Sequence, residues 1–267
     1  MRSSRGPLVL VLVTLGGASV LAGACKKDEA PKEPVVVAQG AAAEKLLTPT
    51  PAAAPATGTA PIDGKVTLTG TPPEMPLTKR DADPYCARTP MKDEEVVVGP
   101  GGALKNVIVR ITKGITGNYE PPMTSVALDQ SQCMYRPRVA MIMAGQSLLI
   151  RNSDQTLHNV HTYKGASTLF NQAEVPGLPA IAKVFKDATG EILKFKCDVH
   201  PWMTGYVGVM GHPFFAVTGA DGKFEIPKVP AGKYTVEAWH ERFGTKSQEV
   251  TVEAGKPLDI AFAFESK

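Results

Sequence analysis

Several features that would place a chain at once are missing here. Neither Gly-x-Ser-x-Gly nor His-Glu-x-x-His occurs and no pair of carboxylates stands out, so hydrolase chemistry finds no foothold. The glycine-rich stretch Gly99-Pro100-Gly101-Gly102 is not followed by Gly-Lys-Ser/Thr, which makes it a turn rather than a phosphate loop. Net charge is low: 29 Lys and Arg stand against 26 Asp and Glu, or +3, and Arg2 and Arg5 supply two of the positive charges. A nucleic-acid partner would call for a concentrated basic field, and none is present. Cysteines are few, at Cys25, Cys86, Cys133 and Cys197, with none of the paired spacing of a structural zinc site. No long segment holds a helical period. What remains is a chain of 267 residues with 43% hydrophobic side chains, enough for one large domain or two ordinary ones.

Arg2 and Arg5 precede the apolar run Leu8 to Leu15, and small residues follow up to Cys25. This is the order of a secretory signal, and the run falls short of the roughly 18 apolar residues that span a bilayer. Leu21-Ala22-Gly23-Ala24-Cys25 resembles a bacterial lipobox, which implies lipidation of Cys25 and a membrane anchor. Lys26 after the cysteine favours, by the same resemblance, the outer membrane facing the periplasm. Ala22-Gly23-Ala24 also serves an ordinary cleavage, so a soluble secreted or periplasmic protein is the alternative. Residues 26–60 are rich in Ala, Pro, Thr, Lys and Glu and carry too few large apolar groups to offset their ordering entropy; they read as a disordered tether.

From Ile62 onward short β-branched runs alternate with Gly, Pro and Asp. Lys65 to Thr69, Val96 to Val98, Val107 to Thr112, Val126 to Leu128, Ser147 to Arg151, Ile192 to Lys196 and Tyr206 to Met210 are expected strands of an antiparallel sandwich. After about residue 212 the pattern changes to Asp221-Gly222, Phe224-Glu225-Ile226, Val229-Pro230-Ala231-Gly232 and Tyr234-Thr235-Val236. These motifs resemble the carboxypeptidase regulatory-like, transthyretin-type β-sandwich. The segment 212–267 is short for a free sandwich, so it is expected to dock on the preceding domain or to take a strand from it, such as Gly64 to Thr69.

The chemistry concentrates in Cys197-Asp198-Val199-His200-Pro201-Trp202-Met203 and in Asn152 to His161, which contains His158. One thiolate, two imidazoles and a thioether are the donors of a blue-copper site, with His₂Cys in a plane and a weak axial Met. Three of these donors share one tight loop and the fourth comes from a separate strand. Asn152, the string His158-Asn159-Val160-His161 and Cys-x-x-His-Pro-x-Met at 197 to 203 closely resemble the cupredoxins of the amicyanin and plastocyanin-like branch. The resemblance covers roughly residues 96 to 211, within an expected domain of 61–211 that carries an N-terminal extension. It implies an all-β fold, a cupredoxin-like Greek-key sandwich followed by the small transthyretin-like one. It also implies copper at His158, Cys197, His200 and Met203, with Asn152 tying the ligand loops together. His200, Pro201 and Trp202 would form the solvent-facing patch through which electrons leave. Met210 is an alternative axial ligand, and zinc at His158, Cys197 and His200 is the alternative metal.

In an oxidising compartment the two remaining cysteines, Cys86 and Cys133, most simply form a disulfide, two buried thiols being the alternative. His161 lies three residues from His158 in a strand, so it points to the other face and cannot easily share the ion. His212 and His240 read as packing residues. The function expected is a one-electron carrier outside the cytoplasm, serving an unidentified redox partner protein, and not an enzyme. The rivals are a protein that stores or delivers copper and a surface interaction module in which the copper fold is only scaffold.

Overall fold

A computed structural model describes residues 60–266. The expected signal segment, Cys25 and the tether up to residue 59 lie outside the described residues. Those residues are almost all strand and turn, with no α-helix among them and two single 3₁₀ turns at Cys86–Arg88 and Pro100–Gly102.

Sixteen strands form four sheets, and the sheets pair around two cores. The first pair surrounds Ile62, Val66, Leu104, Val109, Phe214, Ile226, Val236 and Phe264. One of its sheets has β1 (Ala60–Thr69) between β13 (Lys223–Val229) and β16 (Leu258–Glu265). The other runs β12 (Phe215–Val217), β2 (Ile108–Lys113), β14 (Gly232–His240) and β15 (Gly244–Val252). In β14 and β16 every second side chain is buried, the period expected of a sheet with one face on a core. β15, at the edge, buries little apart from Val252, which fits its run of polar residues.

The second pair holds the remaining strands. One sheet has the order β5 (Val139–Met143), β11 (Thr204–Met210), β10 (Thr189–Lys196), β7 (His158–Lys164) and β8 (Ser167–Glu174). The other runs β4 (Met134–Arg136), β3 (Val126–Ser131), β6 (Ser147–Asn152) and β9 (Ile181–Val184). Between them lie Leu128, Tyr135, Ile142, Leu148, Ile150, Phe195 and Val207, together with Cys197 and Met203. A third cluster, with Ile108 and Phe215 from one side and Val139, Met141, Met143 and Met210 from the other, packs the two sandwiches together.

The boundary expected at residues 211/212 is therefore not where the cores divide. The C-terminal strands need β1 and β2, which come from far upstream in the chain. β1 includes the strand sought at Gly64 to Thr69; it pairs antiparallel with β13 and parallel with β16. Gly222, in the Asp221-Gly222 turn, has a φ of 71°, and a Cβ there would lie 2.5 Å from the Val66 carbonyl oxygen. Only glycine meets both demands. Val96 to Val98, expected as a strand, makes only the isolated bridge of Val98 to Leu104. The turn over Pro100–Gly102 folds the chain back too soon for a longer ladder.

His240 closes β14 inside the first core, 0% exposed and beside Phe243 and Phe264. Its Nδ1 accepts the Arg242 N–H at 3.2 Å, and its Nε2 has no partner. Burial, helped by Arg138 and Arg242, pushes its pKa down to about 4. The unfolded chain therefore takes up this proton first as pH falls, and stability contributed by neutral His240 is lost from about pH 6.5 downward. Between pH 7 and pH 5 the loss is expected to be about 2 kcal/mol. In His240→Phe that component should vanish; equal losses in both proteins, by denaturant unfolding at the two pH values, would refute the assignment.

Candidate metal centre

The β10–β11 hairpin builds most of the site. Lys196 pairs with Thr204 across it, so residues 197–203 form the connecting loop. Two backbone bonds close that loop, Met203 N–H to the His200 carbonyl at 2.9 Å and Cys197 N–H to the Met203 carbonyl at 3.3 Å. β7 lies on the other side of β10, and its first residue, His158, arrives beside the loop. The Tyr135 hydroxyl, buried, reaches the carbonyls of both Asn159 and Lys196 at 3.2 and 3.0 Å, fastening the two ligand strands one residue from their donors.

His158, Cys197, His200 and Met203 are all at most 1% exposed. His158 Nδ1 and His200 Nδ1 lie 2.8 Å apart, and Cys197 Sγ is 3.9 and 3.7 Å from them. The centre of that triangle is about 2 Å from each donor, against about 2.0–2.1 Å for metal–imidazole and 2.3 Å for metal–thiolate bonds. Met203 shares the core with Cys197 and follows His200 by one turn of the loop. Two other groupings of potential ligands involve Cys86 or Cys133, whose sulfurs are joined to each other and so are not free to bind an ion.

Each imidazole meets a carboxylate on its far side. His158 Nε2 is 2.9 Å from Asp154 Oδ2, and His200 Nε2 is 2.9 Å from Asp83 Oδ2. An ionised carboxylate only accepts hydrogen bonds, so both Nε2 atoms carry protons and each ring turns its Nδ1 toward the thiol and the other ring. Two Nδ1 atoms 2.8 Å apart are held by a shared proton, and a metal ion can take that proton's place between them. The donor set thus fits a soft or borderline metal ion.

The electrostatics agree. Burial pushes the Cys197 thiol up, but hydrogen bonds with His158, His200 and the Asn159 N–H outweigh it and bring it down to about 6. That shift favours the thiolate, the form that binds metals. Burial lowers the His158 pKa, yet Asp154 and Cys197 more than reverse this and hold it above its ordinary value. Asp154 is held below the usual carboxylate range by its bonds to His158 and to two backbone N–H groups, against the opposing effect of burial. Glu174, paired with His158 across the strands, is raised to about 7 by burial.

Residues 208–265 match the carboxypeptidase regulatory-like domain. The matched stretch of this regulatory-like domain covers β12 to β16 and leaves out β1 and β2, which complete its sheets. No curated protein matches the chain. Among solved structures, a purple cupredoxin from Nitrosopumilus maritimus is similar at 23% identity over 32% of this chain and 98% of its own, with a TM-score of 0.28. Amicyanin from Paracoccus versutus is similar at 23% identity over 38% and 96%, with a TM-score of 0.29. A copper-containing nitrite reductase from Thermus scotoductus is similar at 16% identity over 37% and 25%, with a TM-score of 0.29.

Two sequence expectations need correction. His200 does not face solvent: it is 1% exposed because Asp83, from the extension before the regulatory-like domain's partner sandwich, covers its outer nitrogen. Trp202 is half-buried, donates to the Cys133 carbonyl at 3.0 Å and lies under the Arg80 guanidinium. Of the expected exit patch only Pro201 is exposed. Nor does Asn152 join the ligand loops. It binds the carbonyls of Thr156 and Glu174 at 2.8 Å and accepts the Asp154 N–H, shaping the turn ahead of His158. Asn159 is the link: its N–H lies 3.5 Å from Cys197 Sγ and its Oδ1 accepts the Asp198 N–H at 2.7 Å.

Sequence reasoning missed Asp83, Asp154 and Asn159 as supporting residues. Asn159 adjoins His158 within the string His158-Asn159-Val160-His161, and Asp154 stands four residues before His158, a short reach across a turn. Nothing near Asp83 signals its partner, 117 residues away. Cys86 and Cys133 form the expected disulfide, and Met210, in β11 at the sandwich interface, is in a different cluster from Cys197. His161 lies outside the donor triangle, bound to Asp198, Thr168 and Tyr163.

Proposed function

We propose that this chain is a blue-copper electron carrier in which His158, Cys197, His200 and Met203 would hold the ion. The convergence of two carboxylate-oriented Nδ1 atoms and a low-pKa thiol on one point carries this reading. When bound there, copper supplies a one-electron couple between Cu(I) and Cu(II), sulfur favouring the first state and imidazole suiting both. The protein's own part is to hold the donors still: the two loop bonds, Tyr135 and Asn159 keep the cage from rearranging when the charge changes, and burial keeps water out. Zinc fits the same three donors, but it has little use for the buried thioether of Met203.

We also infer that the protein works outside the cytoplasm, anchored through a lipidated Cys25 in the outer membrane and facing the periplasm. The Cys86–Cys133 disulfide supports an oxidising compartment. The redox partner is a protein. With His200 covered, the apolar side chains exposed beside the ligands are Leu157 (43%) and Val199 (49%), and contact with the partner is assigned to these and Pro201.

The test is a Cu(II) titration of the protein beside Cys197→Ser, followed by visible and paramagnetic-resonance spectra. An intense thiolate-to-copper band is expected in the first and none in the second. No band in the unaltered protein, or the same band in the variant, rules the copper carrier out.

A further inference from the structure

The two carboxylates behind the histidines share a single support. Asp83 Oδ1 accepts the N–H groups of Tyr85 and Cys86 at 2.7 and 3.1 Å, while its Oδ2 takes the Thr156 hydroxyl at 2.7 Å and faces His200. Asp154 Oδ1 accepts the Gln132 N–H at 2.7 Å, and its Oδ2 takes the Cys133 N–H at 2.7 Å and faces His158. Tyr85 adds a bond from its hydroxyl to Asp154 at 3.2 Å, joining one carboxylate's loop to the other's. Cys86 and Cys133 are the two halves of the disulfide. One half-cystine N–H therefore holds the carboxylate behind His200, and the other holds the carboxylate behind His158.

We infer that Asp83 and Asp154 are positioning residues for a bound metal ion: they force the proton of each imidazole onto Nε2 and so commit both Nδ1 atoms to the ion. The inference rests on the copper reading above. It assigns a function to the extension around residues 80–90, which supplies one of the two carboxylates and closes the site over His200.

Asp83→Asn separates this role from simple support. An asparagine can keep its oxygen on the Tyr85 and Cys86 N–H groups, which leaves its NH₂ facing His200 Nε2. Two donors cannot share that contact, so His200 must move its proton to Nδ1, where it blocks the ion. Asp154→Asn does the same to His158, with more loss of backbone bonding.

The experiment uses the full chain loaded with Cu(I), which is diamagnetic, in competition with a chromophoric chelator. Two-bond ¹H–¹⁵N spectra report the imidazole protons. Both histidines of the unaltered protein should be protonated on Nε2 and metal-bound through Nδ1. Each Asp→Asn variant should lose about 10–100-fold in Cu(I) affinity. In Asp83→Asn without metal, the His200 proton should appear on Nδ1 while His158 keeps its own on Nε2. Normal Cu(I) affinity in both variants overturns the positioning role and leaves the copper reading standing. An unaltered protein that binds no Cu(I) overturns both. An Nδ1 proton on either metal-bound histidine of the unaltered protein overturns the positioning role by itself, whatever the variants do.

Discussion

Replacing Glu241 by Ala is expected to cost the protein about 3–5 kcal/mol of folding stability. Glu241 makes a bidentate pair with Arg138, at 2.5 and 2.8 Å, and both side chains are 5% exposed. Arg138 leads into β5 of the sandwich that contains Cys197, whereas Glu241 follows β14 of the other, so the pair fastens one sandwich to the other. Once the carboxylate is gone, a guanidinium whose Nη1 already lacks a partner is left buried and uncompensated. The damage comes from the unpaired charge rather than from a large net value of the bond, so Arg138→Met with Glu241→Leu should recover most of the loss. Denaturant midpoints of the single and double variants decide this. A double variant as unstable as Glu241→Ala would show that shape, not charge, is what the pair provides.

Removing the disulfide should be nearly as severe. Cys86 and Cys133 are 47 residues apart in sequence. Closing a loop of that size lowers the entropy of the unfolded chain by the equivalent of about 4 kcal/mol, within a usual range of about 2–5 kcal/mol. Cys86→Ala with Cys133→Ala should therefore unfold at much lower denaturant, and dithiothreitol should shift the unaltered protein the same way. A further loss is specific to this architecture. The two half-cystine N–H groups hold Asp83 and Asp154, so the stabilisation by added Cu(I) should also shrink in the double variant. Stability unchanged within about 1 kcal/mol would mean that the unfolded chain is already held together in this region.

The fold class was legible in the chain because β-branched alternation and Asp-Gly and Pro-x-Gly turns are local signals. The pattern Phe224-Glu225-Ile226, then Tyr234-Thr235-Val236, lies in β13 and β14 with the apolar members inward. β4 and β5 escaped notice because Met134 to Met143 carries no clean alternation: β5 is buried at all five positions. A strand covered on both faces has lost the polar half of the signal.

By itself, the sequence determined the chemical identity of the site: a Cys, a His and a Met within one seven-residue loop and a second His on another strand are a donor set whatever the fold's details. It also determined which cysteines were left to pair. Tertiary structure alone decided three other things. It joined β1 and β2 to strands more than a hundred residues downstream, it buried His200, and it placed Asp83 and Asp154 behind the imidazoles. Ligand identity is written in side-chain type and short spacing, which survive in one dimension. A lone aspartate gains its role only from what long-range strand pairing and a disulfide bring against it, and no local pattern records that contact.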